Sequence, residues 1–154
     1  MPKLQAGDKA PAFTLEADDG KKYSLTKLKG QKVILYFYPK DNTPGCTAQA
    51  CEYRDLQTKF KKQGAIVLGI SKDSLDSHKK FKKDHKLNFP LLSDPDLKVH
   101  KAYGAYGKKM LYGKESIGVI RSKYVIDETG KIIAGGKVRA KGDAEKSLTA
   151  ISTS

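Results

Sequence analysis

The sequence predicts an α/β fold. Segments of strand character alternate along the chain with segments of helical period, and clusters of turn residues separate them. One run, Val33-Ile34-Leu35-Tyr36-Phe37, is uninterrupted β-branched, aliphatic and aromatic sequence, the signature of a central strand buried on both faces. At 154 residues the chain suits a single domain over 1–154, and no repeat, linker or low-complexity tract divides it.

In order, residues 12–15 and 22–25 flank Asp18-Asp19-Gly20, a turn signal that predicts an N-terminal β-hairpin. After the 33–37 strand, Tyr53, Leu56 and Phe60 mark one face at helical spacing, predicting a helix over 47–63 that Gly64 stops. Residues 65–70 follow as an inner strand, and 74–85 as a lysine-rich helix. Residues 96–103 predict a short helix, with Asp94 available to cap it and Pro95 at its first position. Residues 122–127 and 132–134 predict two strands across the Glu128-Thr129-Gly130 turn, and 143–151 a terminal helix.

Composition excludes several function classes. The longest apolar burst, 33–38, is far too short to cross a bilayer. Met1-Pro2-Lys3-Leu4-Gln5 lacks the apolar core of a secretory signal, so a cytoplasmic protein is expected. Net charge is +13, from 30 Lys and Arg against 17 Asp and Glu, yet the lysines fall in dispersed pairs such as Lys61-Lys62 and Lys108-Lys109. Dispersed pairs describe solvated faces, so no specific nucleic-acid partner is expected. The glycines between Gly104 and Gly118 do not form a phosphate loop, because Ala102 and Lys109 stand where a Walker motif needs Gly and Ser or Thr. They are read as turn and packing residues.

The chemistry concentrates in Pro39-Lys40-Asp41-Asn42-Thr43-Pro44-Gly45-Cys46-Thr47-Ala48-Gln49-Ala50-Cys51, which runs from the end of the buried strand into a helix. Reactive groups in open α/β sheets gather beyond the carboxyl ends of strands. Cys46 in the first helical turn would have unpaired N–H groups and the positive end of the helix dipole at its sulfur, which favours the nucleophilic thiolate. The spacing is C-x4-C with no further cysteine, so neither a four-ligand zinc site nor a C-x-x-C oxidoreductase motif is present. His78, His85 and His100 sit among lysines and are read as solvated residues on surface helices. On a regular helix the two cysteines diverge by about 140°, with Cα atoms roughly 8.6 Å apart. A disulfide does not span more than about 7 Å without backbone movement, so any Cys46–Cys51 bond requires the helix start to unwind.

Pro39-x-x-x-Thr43-x-x-Cys46 resembles the active-site signature of the peroxiredoxins, and Cys51 resembles the resolving cysteine of their Q-type, or bacterioferritin comigratory protein, subfamily. The likeness extends through Gly7-Asp8-Lys9-Ala10-Pro11-Ala12-Phe13, Leu35-Tyr36-Phe37-Tyr38-Pro39, Tyr112-Gly113, Gly118-Val119-Ile120-Arg121-Ser122 and Tyr124-Val125-Ile126-Asp127. It implies a thioredoxin-like fold with a central mixed sheet flanked by helices and the added N-terminal hairpin. It also implies a thiol-dependent peroxidase acting on hydrogen peroxide and organic hydroperoxides. Cys46 would be the peroxidatic thiolate, passing through a sulfenic acid that Cys51 captures as a disulfide. Arg121 would hold the thiolate and polarise the peroxide, Thr43 would hydrogen-bond both, and Pro39 would shield the pocket. Gln49 departs from the glutamate that relatives often carry. No metal, haem or flavin is implied; a monomer recycled by thioredoxin or a similar dithiol reductant is expected. Two rivals are a disulfide oxidoreductase acting on proteins and a non-enzymatic basic binding protein.

Overall fold

The architecture comes from a computed structural model, which describes residues 4–152; Met1–Lys3, part of the segment used above to argue against a secretory signal, lie outside it. Strand β3 (Lys32–Phe37) is the axis of the molecule, and its residues from Val33 onward are buried. Because strand side chains alternate, Val33, Leu35 and Phe37 enter one core and Ile34 and Tyr36 the other, where the following Tyr38 joins them. A strand with two buried faces has no polar side, which is why its sequence reads as a continuous apolar run.

β3 pairs in parallel with β4 (Ala65–Ser71), which pairs in parallel with β5 (Leu91–Ser93). On its other edge β3 pairs antiparallel with β8 (Ser122–Ile126), and β8 pairs antiparallel with β9 (Ile132–Lys137). The result is a mixed five-stranded sheet in the order β5-β4-β3-β8-β9. The N-terminal hairpin is present as β1 (Thr14–Glu16) and β2 (Lys22–Ser24), in the register Thr14 to Ser24. A hairpin that the sequence analysis did not predict, β6 (Tyr106–Leu111) with β7 (Lys114–Val119), occupies the glycine-containing region before β8. Its two-residue turn places Tyr112 (φ 53) and Gly113 (φ 77) both in the left-handed region, the geometry that matches strand twist.

Helices α1 (Pro44–Asp55) and α2 (Gln57–Lys62) pack over one face of the sheet with α3 (Leu75–His85) and α5 (Asp143–Ser152). The helix predicted over 47–63 is therefore two. It breaks at Leu56, beside which the Gln57 side-chain Nε2 donates to the Tyr53 carbonyl at 3.0 Å. Tyr53 stacks on Tyr36 at 4.6 Å between ring centroids and on Phe60 at 5.8 Å, tying both helices to the sheet. Among the described residues no helix is long and apolar enough to cross a membrane.

Two expectations are corrected. Helix α4 covers only Lys98–Ala102, because Leu97 adopts left-handed φ 63 and separates it from Pro95. Asp94 still serves its first turn by accepting from the His100 backbone N at 2.9 Å. His78 and His100 are fully buried, not solvated. The lysines around them occupy the outer helix face, while His78 shares the inner face with Phe81 and His100 with Tyr103, each three residues on. His100 Nδ1 lies 2.6 Å from Asp94 Oδ2, and His78 Nδ1 lies 2.7 Å from Asp41 Oδ2.

Candidate active site

Beyond Phe37 the chain leaves the sheet through residues 38–43 before α1 begins, and this loop is fixed to α3 by polar contacts. The Tyr38 hydroxyl donates to Asp41 Oδ1 at 2.6 Å, and the Ser77 hydroxyl to Asp41 Oδ2 at 2.8 Å, beside His78. The Asp41 backbone N donates to Asp73 Oδ2 at 2.8 Å. Asn42 takes left-handed φ 59, a conformation asparagine tolerates, and its Oδ1 lies 3.0 Å from His85 Nε2. A loop held this way delivers the helix start to one position.

Thr43 stands at the N-cap of α1 in extended backbone, but its hydroxyl donates to the Lys40 carbonyl at 2.8 Å and caps no N–H. Pro44 follows at the first helical position, where its fixed φ and missing N–H cost nothing. Cys46 is therefore in the first turn, with a relative exposure of 1%. The first turn of a helix carries N–H groups without intrahelical partners and the positive end of the helix dipole. Cys51 is half-buried in the same unbroken helix, and both thiols are free.

Arg121 sits in the link between β7 and β8, where its carbonyl accepts from the Val138 N at 2.9 Å. Its guanidinium reaches across to α1. Nη2 donates to Cys46 Sγ at 3.5 Å and Nη1 donates to Gln49 Oε1 at 2.7 Å. Gly45 makes the approach possible, since a Cβ there would stand 3.1 Å from Nη2. Gln49 is fully buried and passes the contact on: its Nε2 donates to Asp143 Oδ2 at 2.9 Å, and the Tyr53 hydroxyl donates to the same oxygen at 2.7 Å. The other carboxylate oxygen, Oδ1, pairs with Lys123 Nζ at 2.9 Å, with both side chains almost fully buried.

Below the helix start, the Tyr36 hydroxyl is fully buried. Burial pushes its pKa well above the ordinary value, negative charge at Cys46, Asp143 and Asp41 pushes the same way, and Arg121 opposes. A phenol in that setting stays protonated.

Of the residues singled out in the sequence, the fold brings Cys46, Arg121 and Gln49 into contact. It puts Thr43 at the helix N-cap and leaves Pro39 half-buried in the loop. Arg54 lies on the α1 surface with Nε 3.0 Å from Asp55 Oδ1, and it also donates to the His85 carbonyl at 2.7 Å. Sequence reasoning did not find Asp143 and Lys123. The one available signal was Lys123 itself, a charge inside a strand whose other residues are all buried. The arrangement amounts to a buried sulfur in the first turn of a helix with a permanent cation against it, a setting that can stabilise negative charge on an oxygen brought beside it.

A model of the AhpC/TSA family matches residues 6–134. The chain is 47% identical over 132 residues to Peroxiredoxin Bcp of Escherichia coli (strain K12), covering 86% of this chain and 85% of that one. Among solved structures it is similar to the bacterioferritin comigratory protein of Xanthomonas campestris, a protein with alkyl peroxide reduction activity. That likeness has TM-score 0.86 and 33% identity, over 92% of this chain and 90% of that one. A mutant of PrxQ from Xylella fastidiosa superposes with TM-score 0.91 at 32% identity, over 99% and 98% of the two chains.

Proposed function

The chain belongs to the AhpC/TSA family, among its bacterioferritin comigratory protein (Q-type) peroxiredoxins, and from that premise we propose a specific catalytic cycle: reduction of hydrogen peroxide and organic hydroperoxides through a Cys46 sulfenic acid and a Cys46–Cys51 disulfide. The observation that carries it is the Arg121 Nη2 donor 3.5 Å from Cys46 Sγ at the start of α1. The alkyl peroxide activity of the Xanthomonas campestris relative supports organic hydroperoxides as substrates.

In the first step the Cys46 thiolate attacks the distal peroxide oxygen. The O–O bond breaks, the leaving oxygen takes a proton to become alcohol or water, and sulfur keeps the distal oxygen as S–OH. Arg121 holds the thiolate and stabilises charge on the leaving oxygen. Thr43 turns its hydroxyl from the Lys40 carbonyl toward thiolate and peroxide, and Pro39 shields the pocket from bulk water. In the second step the Cys51 sulfur attacks the sulfenic sulfur and releases water. Both cysteines lie in α1, so the helix start unwinds for this bond to form. Thioredoxin or a similar dithiol then returns two electrons and two protons by exchange. One domain over 1–154 does this as a cytoplasmic monomer, where reducing conditions keep Cys46 and Cys51 available as thiols between turnovers.

Peroxide consumption with a dithiol reductant tests the cycle. Cys46→Ser abolishes turnover, and Cys51→Ser allows one oxidation per chain and then stalls. Full activity in the Cys46→Ser protein contradicts the assignment, and sustained turnover by Cys51→Ser with the dithiol contradicts the resolving role.

A further inference from the structure

We propose that Asp143 is a positioning residue: through Gln49 it fixes the Arg121 guanidinium against Cys46. This rests on the reading of Cys46 as the peroxidatic thiolate. A guanidinium can only donate and a carboxylate can only accept, whereas a primary amide does one at each end. Arg121 Nη1 therefore requires Gln49 Oε1, at 2.7 Å, and Asp143 Oδ2 requires Gln49 Nε2, at 2.9 Å. Reversing the amide would set two donors against each other at Arg121 and two acceptors at Asp143. Gln49, itself fully buried, is thus locked in one orientation by groups on both sides.

The remaining contacts of Asp143 explain why the lock is firm. Tyr53, on α1, donates to the same Oδ2 at 2.7 Å, and its hydroxyl lies 2.9 Å from Ser147 Oγ on α5. Lys123 on β8 meets Oδ1 at 2.9 Å. That buried cation balances the carboxylate. A carboxylate at position 49 would face Asp143 acceptor to acceptor. In this chain, glutamine at 49 and aspartate at 143 are complementary halves of one device, joining β8, α1 and α5 behind the reactive sulfur.

The device predicts a reciprocal exchange. In Gln49→Glu two acceptors meet at Asp143. In Asp143→Asn the introduced amide mismatches either Gln49 or Lys123. In the double variant the introduced carboxylate accepts from Arg121 and from the introduced amide, whose carbonyl faces Lys123, while the Tyr53 hydroxyl donates to Ser147 Oγ in place of Asp143 Oδ2, so every donor has an acceptor again. Quench-flow measurement of the first oxidation of Cys46 by hydrogen peroxide, in the full chain, reads the outcome. Each single variant is expected to be slowed about tenfold and the double variant to return to within about threefold of the parent. Parent-like rates in both single variants, or a double variant no faster than the slower single, overturn the proposal. A parent chain that never oxidises at Cys46 overturns the peroxidase reading instead. Should a single variant fail to fold, Asp143→Asn with Lys123→Met is compared with Asp143→Ala with Lys123→Met. Neither leaves a buried unpaired cation, and only the first keeps an acceptor for Gln49. The first is expected to oxidise about tenfold faster per folded molecule, and equal rates would refute the role of Asp143.

Discussion

Replacing Gly45 with alanine probes how closely Arg121 is seated on Cys46, with little else disturbed. Gly45 lies in the first turn of α1 outside the left-handed region, so alanine fits its backbone. The new methyl group would meet Arg121 Nη2 at 3.1 Å and Ala140 Cβ at 3.9 Å. The second contact is ordinary; the first forces the guanidinium to withdraw by a few tenths of an ångström. That lengthens a donor–sulfur contact already at 3.5 Å. A hydrogen bond to a charged group contributes about 1.5–3 kcal/mol, and weakening it by about 1 kcal/mol slows the first oxidation about fivefold. Stability moves the other way, because alanine is preferred to glycine within a helix by up to about 1 kcal/mol. For a chain of this size the melting temperature should hold or rise by about 2–4 °C. The chain has no tryptophan, so quench-flow with mass detection is the assay of choice. Arg121→Ala should absorb the effect: once the guanidinium is gone, adding Gly45→Ala costs no further rate. A Gly45→Ala protein with the parent's rate, while Arg121→Ala is slow, refutes the reasoning.

Two further predictions concern other links in the account. Hydrogen exchange on reduced and disulfide forms should lose protection from Gly45 to Tyr53 on oxidation while β3 and β4 keep theirs; equal protection across that segment contradicts unwinding. Burial works to raise the Asp94 carboxyl, but hydrogen bonds from the His100 ring and backbone and the charge of His100 outweigh it and hold the group below its ordinary value. A depressed carboxyl adds stability above its unfolded value, near pH 4, that is lost as pH falls through the folded value. Asp94→Asn should therefore be less stable than the parent in urea at pH 7, with the gap closing below about pH 4; a gap that does not change with pH contradicts the depressed carboxyl.

The central strand and the helix start were legible because each has a local cause. Val33–Phe37 has no polar face to hide its burial, and Pro44 and Gly45 mark the entry to a helix with Cys46 in its first turn, although α1 begins at Pro44, three residues ahead of the predicted 47. The β6–β7 hairpin was not, since Met110 and Ile117 are exposed among lysines and neither strand shows one apolar face. Its turn also uses Tyr112 where glycine or asparagine would have signalled the conformation. The buried histidines were hidden by the lysines on the opposite helix face. The polar chain behind Arg121 was hidden by distance: Gln49 and Asp143 are separated by 94 residues and meet only when α5 packs on α1. Such pairings are fixed by tertiary packing, and no local pattern carries them.

The claim that Cys46 is the peroxidatic thiolate and Cys51 its resolving partner is tested most directly by intact-mass and peptide mass spectrometry after one equivalent of peroxide. The account predicts that the parent loses two hydrogens and yields one peptide linked through Cys46 and Cys51, whereas Cys51→Ser gains a single oxygen on Cys46. Oxygen found on Cys51, or a parent chain whose two cysteines remain unlinked after peroxide is consumed, would contradict it.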